Sequence, residues 1–446
     1  MTSGHYRLTS LFMGMPVVLL FTSLTMAADA MKISGTTMGT VYSVVIDSPS
    51  STLGSAEQVQ AKIEARLDDI NARMSTWQSD SEISRFNASD STDWFPISPE
   101  FAVVVAEARR IHDATQGAFD PTVAPLIQLW GFGDHRRRTI PDDEAIQSAL
   151  KSVGMQNLEV RSDPPALRKQ IPALQLNLSA IAKGYGVDAV AELLVSLGQR
   201  SYVVDIGGEN RAGESRANGN PWRLGIESSA GDLLRVMRLT ETSIATSGDY
   251  RNYFEVDGVR YSHAINPSTG RPVDHPPAAV SVIHSSCMTA DGWATAMMVL
   301  GPEKGRQVAE REGLSVLFQV PDKDGEVQLI ATGRFIDQPE LSAEQSVDHF
   351  QHVPEDGTQS PRKTSAKWFP FAAAAVIFLI AVAGMSIGTM LQNRQLKGSC
   401  GGLASLPGSE GKSICELCTI PKDQCTNAEL REKLQAAAQQ NAEDEG

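Results

Sequence analysis

Apolar residues that recur every three or four positions predict the first long helix of this chain. They form one face of an amphipathic α-helix, made up of Val59, Ile63, Leu67, Ile70 and Met74. A second helix is predicted to begin at Ser98, because a serine cap is followed by Pro99 in the first turn. A third is predicted over residues 289–300.

Short runs rich in β-branched and aromatic residues predict strands between these helices. Within residues 254–261, the pair Asp257 and Gly258 supplies a tight turn between two alternating strands, which predicts a β-hairpin. Strands and helices mix without regular βαβ alternation, so the pattern favours an α+β fold over a doubly wound parallel sheet. The other predicted strands are residues 41–46, 202–206, 222–226, 234–239 and 278–283.

Two longer apolar segments predict how the chain meets a membrane. The first follows His5 and Arg7 and ends in small residues, which predicts a signal peptide at 1–30 that is cleaved after Ala30. An uncleaved N-terminal anchor is the alternative. The second, residues 368–391, contains no charged residue and would span about 35 Å as a helix, enough to cross a bilayer.

These segments divide the chain into five parts. After the signal peptide, residues 31–336 form a large exported domain, and residues 337–367 form a polar linker. The transmembrane helix at 368–391 then leaves residues 392–446 as a cytoplasmic tail if the leader functions in export.

Charge and cysteine usage narrow the classes of function. The 446 residues carry 39 Lys and Arg against 53 Asp and Glu, a net charge of −14, which argues against a nucleic-acid partner. Of the five cysteines, Cys287 lies in the exported domain, where a small buried side chain is expected. The other four lie in the tail.

Several short motifs of the exported domain carry side chains suited to phosphate and metal chemistry. Asp291 and Thr295 are four residues apart and share one helix face, where a carboxylate and a hydroxyl suit Mg²⁺. By spacing alone, an acidic helix N-terminus with a hydroxyl bonded to the backbone explains them as well. Lys183 is a candidate phosphate ligand or an exposed helix lysine. The segment Asp205 to Glu209 is either a ligand-facing turn or a plain one, and His263 is either catalytic or structural.

Further short motifs follow one another over residues 35–335. In chain order the whole set is TMGTVY at 37–42, RMSTW at 73–77, DSEIS at 80–84, GAFDP at 117–121, WGF at 130–132, SAIAKGY at 179–185, DIGG at 205–208, TSGDYR at 246–251, SH at 262–263 with NP at 266–267 and Gly270, and AD at 290–291 with AT at 294–295. Together, and in this order, these motifs resemble the ApbE family of FAD:protein FMN transferases. The resemblance implies an α+β fold of mixed antiparallel sheets with packed helices.

The resemblance also implies which residues bind the substrate and the metal. Mg²⁺ would be held by Asp291, the Thr295 hydroxyl and the Ala180 carbonyl. This chain has Asn177 and Asn266 where family members show aspartate; an asparagine keeps a carbonyl acceptor but loses the charge. The implied flavin site consists of Met38, Trp77, Ala118, Phe119, Asp120, Asn177, Lys183 and Ile265.

The reaction implied by the family is transfer of FMN from FAD to a threonine or serine hydroxyl of another protein, with release of AMP. Lys183 is the candidate that assists at the pyrophosphate. His263 is the candidate base, since its unperturbed pKa lies near neutrality, and Asp249 is the second choice. The implied acceptors carry Ser/Thr-Gly-Ala-Thr/Ser segments in subunits of membrane electron-transfer complexes. The expected location is the bacterial inner membrane, with the catalytic domain in the periplasm.

The tail carries a separate signal in the spacing of its cysteines. The four residues are Cys400, Cys415, Cys418 and Cys425. Four thiolates with one CxxC pair can bind zinc, iron or an Fe–S cluster, whereas outside the cytoplasm two disulfides would be the alternative. With the run KGSCGGL at 397–403 and the preceding helix, these cysteines resemble NqrM, a small membrane protein family that assists maturation of the Na⁺-translocating NADH:quinone reductase, with iron delivery as the implied role.

Two other functions remain open from the sequence. The exported domain is alternatively a flavin-binding module without transferase activity, a reading that the lost charge at Asn177 favours. The whole chain is alternatively a membrane redox adaptor that passes electrons between bound flavin and a tail cluster. Release of AMP distinguishes the enzyme from both.

Overall fold

The computed structural model describes residues 30–132, 140–229, 231–248, 253–275, 278–322 and 326–337. The predicted transmembrane helix at 368–391 and the four tail cysteines lie outside the described residues, as do nearly all of the predicted signal peptide and linker. Among the described residues, no helix is both long enough and apolar enough to span a membrane.

The strands come in runs between the helices, and most are short. Their bounds within the described residues are β1 (Met31–Thr37), β2 (Thr40–Ile46), β3 (Phe95–Pro96), β4 (Leu158–Ser162), β5 (Pro165–Lys169), β6 (Tyr202–Ile206), β7 (Glu209–Ala212), β8 (Trp222–Glu227), β9 (Leu233–Leu239), β10 (Thr242–Gly248), β11 (Tyr253–Val256), β12 (Val259–Ser262), β13 (Ile265–Asn266), β14 (Arg271–Pro272), β15 (Ala279–His284), β16 (Ser315–Pro321) and β17 (Val327–Ala331).

Eight of these strands form one sheet in the order β1-β2-β6-β7-β10-β15-β16-β17. Every neighbouring pair in it is antiparallel. Smaller sheets join β3, β5 and β4, and the pairs β8–β9, β11–β12 and β13–β14. The predicted α+β fold with antiparallel sheets is confirmed. The predicted hairpin is found as β11–β12, with Asp257 and Gly258 in the turn at positive φ.

Several of the helices begin where the sequence provides a side-chain cap. Ser55 and Gln58 form a capping box at the start of the first helix, and Ser98 caps the third with Pro99 following it. The helices of the described residues are α1 (Ala56–Met74), α2 (Glu82–Ala88), α3 (Pro99–Ala114), α4 (Ala124–Leu129), α5 (Asp143–Leu150), α6 (Ala182–Ser196), α7 (Cys287–Glu312) and α8 (Arg334–Asp337).

The apolar stripe of α1 packs into the core as predicted. Val59, Ile63 and Leu67 are buried in a cluster with residues of β2, β6 and α6, and the stripe continues into the largest core cluster through Ile70 and Met74. Each such side chain stabilises the fold by about 1.5–3 kcal/mol relative to an exposed one. This packing holds α6 against the sheet at its β2 and β6 strands.

Helix α7 is longer than the sequence predicts. It begins at Cys287 and continues past Leu300 to Glu312, with a break at Gly301, where φ is 73° and ψ is 172°. Pro302 follows the break. The first segment packs on β10, β15 and α6. Because α6 and α7 contact each other close to their N-termini, residues of both helices reach one cavity.

Candidate active site

One cavity of about 280 Å³ collects most of the predicted site residues. It lies where α6 begins, where β6 turns into β7, at the end of β10 and beside the first turns of α7. The structure thus brings together residues up to about 180 positions apart in the sequence. The predicted residues that line it are Ala118, Phe119, Asp120, Asn177, Ala180, Lys183, His263, Ile265, Asp291 and Thr295.

The proposed metal ligands are oxygen atoms on the cavity wall. Asp291 is 2% exposed, and its Oδ2 accepts a hydrogen bond of 2.9 Å from the N–H of Gly184. The Thr295 Oγ1 lies 3.1 Å from the Ser247 Oγ, and Ala180 lines the same wall. Carboxylate, hydroxyl and carbonyl oxygens are the ligands that Mg²⁺ prefers.

This donor set fits a magnesium ion that keeps positions for phosphate. The described residues contain no cluster of three or more His, Cys, Asp or Glu side chains able to hold a metal ion by themselves. Magnesium is usually bound by one or two carboxylates together with substrate phosphates and water. A site with the single carboxylate of Asp291, one hydroxyl and one carbonyl is consistent with this type of coordination.

Lys183 forms an ion pair that the sequence analysis missed. Its Nζ lies 2.5 Å from the Oε2 of Glu209, whose side chain is 2% exposed. Glu209 is the first residue of β7 and follows the turn at Gly207 and Gly208, both at positive φ. The sequence signal was limited to a carboxylate directly after two glycines, which is equally typical of a plain turn.

The charges in this part of the cavity perturb one another. Burial, followed by the charge of Asp291, raises the pKa of Glu209 to about 8 although Lys183 opposes the shift. Burial likewise raises the pKa of Asp291, partly offset by Lys183. Burial alone would lower the pKa of Lys183, but the two carboxylates more than offset it and keep the lysine charged. A cation bound beside Asp291 would oppose these raised pKa values, because it favours the charged form of a carboxylate.

The other end of the cavity is apolar and is shaped by the segment 117–121. The Phe119 carbonyl oxygen lies 2.9 Å from the His112 Nδ1, and Asp120 Oδ1 accepts hydrogen bonds from the backbone N–H and the hydroxyl of Thr122. Gly117 has a φ of 88°, which suits glycine at this turn. These contacts fix Phe119, Asp120 and the backbone around them as a rigid wall.

The two asparagines that depart from the family pattern each hold a turn. Asn177 Oδ1 accepts a bond of 2.9 Å from the N–H of Ser179, and Asn266 Oδ1 accepts from the N–H and the hydroxyl of Ser268. An amide oxygen performs this task as a carboxylate does. The oxygen that the sequence analysis assigned to the flavin at Asn177 is therefore already bonded to backbone.

His263 lies on the cavity wall between β12 and β13. Its ring stands edge-on to Phe132, with centroids 6.4 Å apart. The second candidate base, Asp249, lies outside the described residues.

Met38 and Trp77 do not line the main cavity. Met38 is half-buried with a φ of 50° and packs against the two largest core clusters, whereas Trp77 is 66% exposed just beyond α1. A second cleft of about 240 Å³ begins at Thr76 and shares Ile127 and Asn177 with the main cavity. This second cleft therefore reaches Thr76, the residue next to the predicted flavin residue Trp77 in the sequence.

The chain is similar in sequence to flavin transferases. An FAD:protein FMN transferase of Vibrio cholerae is 45% identical over 303 residues, which are 67% of this chain and 90% of the relative. The Escherichia coli K12 enzyme of the same name is 37% identical, with coverage of 67% and 87%.

Solved structures agree with the sequence relatives. A histidine-to-glycine variant of the flavin transferase ApbE from Vibrio cholerae is 42% identical, with a TM-score of 0.65, and the match covers 70% of this chain and 99% of that one. The apo flavinyl transferase ApbE of Pseudomonas stutzeri is 39% identical with a TM-score of 0.65, over 69% and 96% of the two chains.

Family comparisons match two separate parts of the chain. Residues 38–318 match the ApbE family, and residues 389–440 match the family described as (Na⁺)-NQR maturation NqrM. The predicted fusion is confirmed, as is the prediction of a transferase. The chain belongs to the ApbE family of FAD:protein FMN transferases and carries an NqrM domain behind its transferase domain.

Proposed function

We propose that this enzyme uses Mg²⁺ to transfer FMN from FAD to a serine or threonine hydroxyl of an acceptor protein, with release of AMP. The observation that carries the proposal is the meeting of Asp291, Thr295, Lys183 and His263 in one cavity. Oxygen donors for a hard cation, an ammonium group for phosphate and an imidazole for a proton are the groups that phosphoryl transfer needs.

In the proposed step, the acceptor oxygen forms a bond to the phosphorus on the FMN side of the pyrophosphate. The bond from that phosphorus to the bridging oxygen breaks, and AMP leaves with the electron pair. His263 takes the hydroxyl proton, and Lys183, held by Glu209, offsets negative charge on the phosphate oxygens. The product is FMN joined to the acceptor through a phosphoester bond.

Asp291, Thr295 and the Ala180 carbonyl would hold the magnesium ion, which neutralises charge on the pyrophosphate when bound. Gly184 orients Asp291 for this role by donating its N–H to Oδ2. The apolar wall around Phe119 and Ile265 excludes water from one side of the substrate.

The proposed acceptors carry a Ser/Thr-Gly-Ala-Thr/Ser segment and belong to the Na⁺-translocating NADH:quinone reductase or a related complex. The match of the tail to NqrM supports this choice. The signal-peptide pattern and the apolar segment at 368–391 support a place in the bacterial inner membrane, with the transferase domain in the periplasm and the tail in the cytoplasm.

The experiment combines purified full-length chain with FAD, Mg²⁺ and an acceptor containing a Thr-Gly-Ala-Thr segment, and follows acceptor mass and AMP together. FMN is expected on the acceptor with an equal amount of AMP. Asp291→Ala and His263→Ala should each lower the rate at least a hundredfold, while Asp68→Ala on the exposed face of α1 should leave it unchanged. Chelation of Mg²⁺ should stop the reaction. FAD binding without AMP release would contradict the proposal.

For the tail, we propose binding of iron or zinc by Cys400, Cys415, Cys418 and Cys425, with iron delivery to the same complex. Deleting residues 392–446 should lower the iron content of the reductase and leave FMN attachment to its subunits intact. Replacing all four cysteines by serine in the full chain should have the same effect. Unchanged iron content in both strains would contradict the tail's role without affecting the transferase proposal.

A further inference from the structure

A second buried carboxylate, Asp188 of α6, lies one helical turn after Gly184, the residue that donates its N–H to Asp291. It is 7% exposed. Its Oδ1 accepts a hydrogen bond of 3.0 Å from the N–H of Cys287 and pairs with Arg211. Its Oδ2 accepts from the N–H of Met288 at 3.0 Å and from the Ser286 hydroxyl at 2.8 Å. Four donors from two other elements therefore converge on one side chain.

The Asp188 carboxylate caps the N-terminus of α7, although it belongs to the neighbouring helix α6. The first N–H groups of a helix have no partner within it, and the helix dipole favours a negative charge there. The side chain of the helix's own cap, Ser286, accepts a hydrogen bond of 3.2 Å from the N–H of Thr289. Asp188 covers the preceding N–H groups and also fixes the Ser286 hydroxyl.

The elements joined at Asp188 are those that carry the active-site charges. On α6, Gly184 lies one turn before Asp188, and on α7, Asp291 lies one turn after Cys287. Gly184 donates a hydrogen bond to Asp291, and Cys287 donates one to Asp188. The two helices are therefore connected by two hydrogen bonds that lie one turn apart.

The third element, β7, forms an ion pair with α6 near each of these two hydrogen bonds. Glu209 pairs with Lys183 of α6, and Arg211, two residues later and on the same face of the strand, pairs with Asp188 of the same helix. The contacts of Asp188 thus fix the relative positions of α6, α7 and β7. The same three elements carry Lys183, Asp291 and Glu209.

From this arrangement we infer that Asp188 is a positioning residue that sets the geometry of the metal-binding wall at Asp291. The inference rests on the magnesium dependence proposed above. Asp188 is not among the residues that line the cavity, and the hydrogen bonds described above join it to residues other than the proposed metal ligands. Its effect passes through the register of α7 against α6.

The test uses the full-length chain and Mn²⁺ as a spectroscopic substitute for Mg²⁺. Asp188→Asn keeps the size of the side chain but places an amide N–H₂ among donors, so some of the hydrogen bonds that Asp188 accepts are lost. We expect the Mn²⁺ dissociation constant, measured by electron paramagnetic resonance of the free ion, to rise at least tenfold. The Mg²⁺ concentration for half-maximal FMN transfer should rise equally, whereas FAD affinity without metal should change less than threefold.

Two further variants separate positioning from general destabilisation. Leu224→Ala opens a cavity in the core on β8, away from α6 and α7, and should lower the melting temperature without changing Mn²⁺ affinity. Ser286→Ala removes one donor to Asp188 and should raise the Mn²⁺ dissociation constant about threefold, which keeps the test available where Asp188→Asn does not fold. Wild-type Mn²⁺ affinity in both Asp188→Asn and Ser286→Ala would overturn the inference. A wild-type enzyme that binds no Mn²⁺ and needs no Mg²⁺ would instead overturn the magnesium proposal.

Discussion

At the scale of single residues, Gly184 shows how closely the two catalytic helices approach. A Cβ atom at this position would lie 2.3 Å from the Cys287 carbonyl oxygen and 2.8 Å from the Asp291 Cβ. Both distances are shorter than real contacts allow, and the first involves backbone that cannot rotate away. The same residue donates its N–H to Asp291, so its small size and its hydrogen bond serve one purpose.

We predict that Gly184→Ala abolishes FMN transfer and lowers the free energy of unfolding by about 1–3 kcal/mol, since the added methyl group must separate α6 from α7. Transfer assays and urea unfolding check the two effects. Gly186→Ala is the matched control on the same helix: its nearest neighbours are the flexible end of Met38 and the Ile206 Cδ1, at 3.0 and 3.2 Å. Equal losses in both variants would contradict this explanation.

A pH-dependent contribution to stability is predicted at Glu107 on α3. Burial acts to raise its pKa, but hydrogen bonds from Arg110 and Thr289 and the Arg110 charge lower it below the ordinary value of 4.5. A lowered pKa in the folded state stabilises the protein above pH 4.5, and this stabilisation disappears as the pH falls through the folded-state pKa.

Glu107→Gln should therefore cost about 1–2 kcal/mol in free energy of unfolding at pH 7 and progressively less below pH 4.5. Denaturant titrations of both proteins between pH 3 and 8 measure the difference. Its size should depend on pH in this acidic range alone. A constant difference at all pH values would show that packing, not charge, explains the effect.

The site residues whose position could be predicted are those with a local pattern. Asp291 and Thr295 share a helix face by spacing alone, and both line the cavity. Glu209 and Asp188 could not be predicted, because their partners lie 26 and about 100 residues away and neither has a distinctive neighbourhood in the sequence. Their importance arises from where the sheet and the two helices meet.

At the scale of elements, local patterns predict where an element begins or breaks, but not whether a further segment follows. The strand at Tyr202–Ile206, the helix cap at Ser98 and the hairpin turn at Asp257-Gly258 are found as predicted. The predicted helix end at Leu300 coincides with the break at Gly301, but the second helical segment after Pro302 was not predicted. Packing of this second segment against β16, which no local pattern reveals, explains the difference.

A buried lysine connects β5 to the end of α2. Lys169 is 1% exposed, and its Nζ donates to the carbonyl oxygens of Asn87, Ser89 and Pro172. Lys169→Met should lower the free energy of unfolding by about 2–3 kcal/mol, since three carbonyl groups lose a charged donor. Lys151→Met at an exposed position is the control and should change it by less than 0.5 kcal/mol. Unfolding in urea measures the free energy of both variants. Equal losses would contradict a stabilising role for the hydrogen bonds of Lys169.

At the scale of the whole molecule, the distribution of cysteines allows the proposed topology to be tested. Cys287 is fully buried, and the remaining four cysteines lie in the tail. A membrane-impermeant maleimide should therefore leave the protein unlabelled in intact spheroplasts and label it after the membrane is permeabilised. Replacing the four tail cysteines by serine should remove that labelling. Labelling of intact spheroplasts would place the tail outside the cytoplasm.

The order of strands in the large sheet has a consequence for how the protein is made. Strand β2 pairs with β6, which joins Tyr42 to Ile206 across about 160 residues of intervening chain. The hairpin of β1 and β2 can form as soon as it is synthesised, but it must wait for β6 before its inner edge is covered. Until then β2 presents unpaired backbone groups to other chains. The β2 edge of the nascent chain is therefore open to pairing with other chains until β6 has been synthesised.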